Sequence, residues 1–61
     1  MAADPDADRR RAAELYAEAR RLHGEKDYYA ARERYEESLR LQEDEEVREA
    51  YTRLMATIGP L

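Results

Sequence analysis

The sequence predicts an all-α fold, a three-helix antiparallel unit. Three observations carry this: three stretches in which apolar residues recur every three or four positions, a start or stop signal at their ends, and no alternating strand pattern between them. The expected helices cover about residues 5–23, 28–42 and 45–58 of a single domain over residues 1–61. Neighbours joined by such short connections run antiparallel, so the first two helices make a hairpin and the third folds back on it.

The first helix opens at Asp4-Pro5, an N-cap residue followed by proline at a position whose N–H would be unpaired anyway. Asp6 and Asp8 then put negative charge in the first turn, where the helix dipole favours it. Ala12, Leu15, Ala19 and Leu22 form one stripe, and Gly24 is placed to take the left-handed conformation that ends helices. The second helix opens at Asp27 as its N-cap and carries Tyr28, Ala31, Tyr35, Ser38, Leu39 and Gln42 inward, with Glu36–Arg40 available as an outer ion pair. The third follows the acidic run Glu43-Asp44-Glu45-Glu46; its stripe is Val47, Ala50, Tyr51, Leu54 and Ile58, and Gly59-Pro60 stops it.

Composition excludes several classes of function. Among 61 residues there is no cysteine and one histidine, so thiolate and multi-histidine metal sites are ruled out. No nucleophile or second base stands at a matched spacing from His23, and the expectation is a protein that is not an enzyme and has no cofactor. His23 beside Gly24 reads as a helix-end residue interacting with the dipole. The run at residues 43–46 lacks the alternating ligands and central glycine of a calcium loop and reads as a solvated helix start. Fifteen acidic residues against eleven basic ones leave a net charge of −4, a poor match for nucleic acid. Arg9, Arg10 and Arg11 read as pairing with Asp4, Asp6 and Asp8 one turn earlier. The longest apolar run is four residues, Tyr28-Tyr29-Ala30-Ala31, which spans no membrane. The acidic start of the chain does not resemble a signal peptide, and a cytoplasmic location is expected.

Around Lys26-Asp27-Tyr28 the sequence resembles one tetratricopeptide repeat followed by a capping helix. In that register Leu15 takes the first large position, Ala19 the small glycine-like one and Leu22 the first-helix aromatic. Ala31, Tyr35 and Ser38 then follow as small, aromatic and small, with Leu39 and Leu41 closing the repeat. Glu18, Lys26 and Glu43 depart from it, standing where the family has leucine, the turn glycine and proline. The hairpin is also similar to that of microtubule-interacting-and-trafficking-type three-helix domains, whose second helix is usually longer.

The resemblance implies an adaptor, scaffold or self-association module whose concave face is lined by the first helix. Its partner would be a protein or peptide, a second copy of the chain included. Ala13, Tyr16, Arg20 and His23 would point that way, spaced three, four and three apart and off the core stripe. Tyr16 and Tyr29 both fall off the core stripes and are further interface candidates, while Tyr51 suits either role. Another class of function, a small helical nucleic-acid-binding regulator, would use Arg9, Arg10 and Arg11 with Arg20 and Arg21, against the acidic net charge.

Overall fold

A computed structural model describes residues 4–59; the stop signal at Pro60 lies outside the described residues. The chain forms three helices, α1 (Pro5–Gly24), α2 (Tyr28–Leu41) and α3 (Glu45–Ile58), and the described residues contain no strand. The fold is all-α, as the periodicity predicts. α2 packs on both neighbours, whereas α1 and α3 barely meet each other. With both antiparallel to α2, α1 and α3 run side by side in one direction.

Each helix start has its own chemistry. Asp4 accepts from the Asp6 N–H at 3.0 Å, so the first cap is the expected one. Asp4 is used in this way rather than as an ion-pair partner, and the expected pairing of Asp4, Asp6 and Asp8 with Arg9, Arg10 and Arg11 does not form; Arg11 reaches Glu14 instead. Asp27 precedes α2 without a side-chain cap, and its carbonyl takes the Ala31 N–H. At α3 the acidic run provides the cap: Asp44 accepts from the N–H groups of Glu46 at 2.9 Å and Val47 at 3.4 Å.

The turn between α1 and α2 differs from the sequence expectation. Gly24 stays helical, and the left-handed residue is Lys26, at φ 66°. The Lys26 N–H donates to the His23 carbonyl at 3.1 Å and the Asp27 N–H to the Leu22 carbonyl at 2.9 Å, the paired bonds of a Schellman ending. Holding a side chain in that conformation costs about 1 kcal/mol or more relative to glycine. Gly59 ends α3 at φ 88°, where glycine meets no such cost.

The buried residues are Ala12, Leu15 and Ala19 from α1, Ala31, Tyr35 and Ser38 from α2, and Val47 and Leu54 from α3, every one on a stripe read from the sequence. Leu22, Tyr28, Leu39, Ala50, Tyr51 and Ile58 pack around them half-buried. Three polar contacts pin the helices at fixed register. The Ser38 hydroxyl donates to the Ala12 carbonyl at 2.8 Å, Arg34 Nε donates to Glu18 at 3.1 Å, and the Tyr51 hydroxyl donates to Glu36 at 2.7 Å. Glu36 is thereby engaged with Tyr51, and the expected Glu36–Arg40 pair is absent.

Candidate functional site

Because α1 and α3 each lean on α2 rather than on one another, a groove opens between them. Its volume is about 490 Å³, and its walls are Tyr16, Arg20, His23 and Gly24 from α1 and Glu46, Glu49, Ala50 and Arg53 from α3, with the buried Tyr35 of α2 beneath them as its floor. A separate hollow of about 260 Å³ is lined by Arg9, Ala12 and Ala13 of α1, Ser38 of α2, Gln42 and Asp44 of the connection that follows it, and Val47 of α3.

The floor is an aromatic cluster centred on Tyr35, which is 1% exposed. The Tyr16 ring lies 6.1 Å from it at a tilt of 47°, and His23 and Tyr51 meet it edge-on at 6.1 and 6.4 Å. His23 also meets Tyr28 edge-on at 5.9 Å, and its Nδ1 lies 3.2 Å from the Tyr35 hydroxyl, within hydrogen-bond distance. Such offset and edge-on arrangements are the favourable ones for rings and hold the cluster rigid. Burial pushes the Tyr35 hydroxyl above the ordinary phenol pKa, with neighbouring Tyr16 adding to the rise and Arg20 opposing it. The hydrogen bond to Glu36 raises Tyr51 as well, with burial adding to it. Both phenols therefore keep their protons at neutral pH, and neither is poised as a nucleophile or base.

At the groove's edge the Arg20 guanidinium carbon sits 5.7 Å from the Tyr16 ring centroid, a cation–π contact. Arg20, Arg53, Glu46 and Glu49 are exposed, and none of them forms an ion pair among the described residues. The arginines that do pair lie elsewhere: Arg11 and Arg21 on other parts of α1, Arg34 between α1 and α2, and Arg48 with Glu43 at the start of α3.

Of the residues expected to meet a partner, Tyr16, Arg20 and His23 come together on this groove, whereas Ala13 does not line it and borders the separate smaller hollow. Tyr29 does not join them. It stands 60% exposed on α2 beneath the Arg32 guanidinium, 5.6 Å from ring centroid to carbon, and borders no part of the groove. His23 is more than a helix-end residue, since its ring is built into the tyrosine cluster. The α3 wall was not anticipated. Its signal is the stripe Glu46, Glu49, Ala50 and Arg53, at the same helical spacing as the core stripe and beside it. Among the described residues no cluster of histidine, cysteine or carboxylate side chains is arranged to hold a metal ion, and no helix is long and apolar enough to cross a membrane.

No protein-family model matches this chain, and neither a curated protein nor a solved structure does.

Proposed function

We propose that this chain is a protein-interaction module of tetratricopeptide type, an adaptor, scaffold or self-association unit that binds along the groove between α1 and α3. The observation that carries the reading is the groove itself, with rigid aromatic residues on its floor and unpaired charges of both signs on its rims. Binding faces are enriched in tyrosine and arginine because these combine large contact area with directed hydrogen bonding. Tyr16 and Arg20 supply that combination from adjacent turns of α1. The groove is open rather than enclosed, which suits a helix or an extended segment better than a small molecule.

Changing Tyr16 to Ala and Arg20 to Glu together removes the anchor. Arg20 is exposed and Tyr16 half-buried against Tyr35, so the pair is expected to destabilise the fold by about 1–2 kcal/mol, less than a core truncation. Partner capture or self-association should weaken about tenfold or more, as loss of an aromatic or arginine anchor does. Matched pull-downs and sedimentation equilibrium on parent and double variant test this. Unchanged association with an intact fold would move the binding face elsewhere.

A further inference from the structure

We infer that the groove's partner is a second copy of the same chain, docked antiparallel about a twofold axis passing beside Tyr16 and Ala50. This rests on the groove being the binding face. The charges on its walls are sorted along its length. Arg20 lies near the end of α1 and Arg53 in the second half of α3, whereas Glu46 stands in the first turn of α3 and Glu49 one turn later. All four lack an ion-pair partner among the described residues, as Arg9, Arg10, Arg32 and Arg40 also do.

On α3 the stripe reads Glu46, Glu49, Ala50, Arg53, with its outer members of opposite sign on either side of Ala50. At a rise of 1.5 Å per residue they stand roughly 10 Å apart along the axis. A twofold axis across α3 at its midpoint lays the helix antiparallel on its copy and carries Arg53 over Glu46 of the second copy. The symmetry then forms the same pair a second time, as an isologous interface requires. Parallel docking would set the arginines of one copy against those of the other. Ala50, at the crossing point, is small enough for the two helices to approach closely. Tyr16 lines the same groove from α1 against the Tyr35 ring, and this docking brings the two Tyr16 side chains near the axis.

The whole chain carries −4, so two copies repel over most of their surface. The groove walls carry two charges of each sign, and under the twofold the outer pair of α3, Glu46 and Arg53, exchanges places while Glu49 stays near the axis.

A charge-reversal pair tests it. One variant carries Arg20→Glu with Arg53→Glu, the other Glu46→Arg with Glu49→Arg; all four positions are exposed, and circular dichroism checks that both remain folded. Sedimentation equilibrium should show the parent associating, each variant alone at least tenfold weaker, and an equimolar mixture of the two recovering association as a heterodimer. The second variant is decisive by itself, because its substitutions cancel the net charge of −4. Relief of general repulsion would make it associate more tightly than the parent, whereas the twofold groove contact requires it to associate less. A monomeric parent, or a dimer indifferent to both reversals, overturns the inference. If the parent is monomeric yet a foreign protein is captured by it and lost by the Tyr16→Ala, Arg20→Glu variant, the groove remains the binding face and only the second copy is wrong.

Discussion

Tyr35→Ala is expected to destabilise the fold by about 3–5 kcal/mol, the range for truncating a large buried aromatic. Tyr35 is the largest fully buried side chain, and Tyr16, His23 and Tyr51 all rest against its ring. Removing it leaves three aromatic neighbours without their common surface and the His23 Nδ1 without its hydroxyl partner. Small domains hold roughly 5–15 kcal/mol in total, so the loss takes most of the stability of a chain this short. Tyr35→Phe separates the two contributions, since it keeps the ring and gives up only the hydrogen bond, about 0.5–1.5 kcal/mol. Urea unfolding followed by circular dichroism measures both, and a Tyr35→Ala variant melting within a few degrees of the parent would place the ring outside the core.

Leu54→Ala is expected to cost about 2–5 kcal/mol by opening a cavity between α3 and the rest of the molecule. Leu54 is fully buried and clusters with Ala19, Ala31, Tyr35 and Val47, so it joins α3 to residues of both other helices. α3 otherwise holds through the buried Val47, the Tyr51–Glu36 hydrogen bond and half-buried contacts, so losing Leu54 loosens the helix before the α1–α2 hairpin melts. Hydrogen exchange should show α3 amides losing protection first. The control is Leu41→Ala, where the side chain is 37% exposed and the change should stay within about 0.5 kcal/mol. Equal effects from the two leucines would mean that α3 does not dock through Leu54.

What the sequence disclosed follows from local periodicity. Ala12, Leu15 and Ala19, then Ala31, Tyr35 and Ser38, then Val47 and Leu54 are legible as buried because helical spacing alone selects them. The α1–α2 turn misled because Gly24 is the better left-handed residue in isolation, yet the Schellman bonds fall in register only when Lys26 takes that conformation. Asp27 has the right side chain for a cap but forms no capping bond, whereas Asp44, inside a run of like residues, makes two. His23 illustrates what periodicity does not contain: its partner Tyr35 is twelve residues away, and the contact exists only once α1 and α2 have packed. The candidate site was half legible for the same reason. Tyr16, Arg20 and His23 share one face of one helix, but the α3 wall depends on how two helices distant in sequence are set by a third.

The measurement closest to the central claim, that the groove between α1 and α3 receives a second copy, is a dilution series of amide ¹H–¹⁵N spectra. Concentrating the protein should move the resonances of Tyr16, Arg20, Glu46, Ala50 and Arg53 together, with one midpoint, and leave those of Tyr29 and Arg32 on α2 in place. Shifts gathered around Tyr29 and Arg32, or spectra that do not change with concentration, would contradict it.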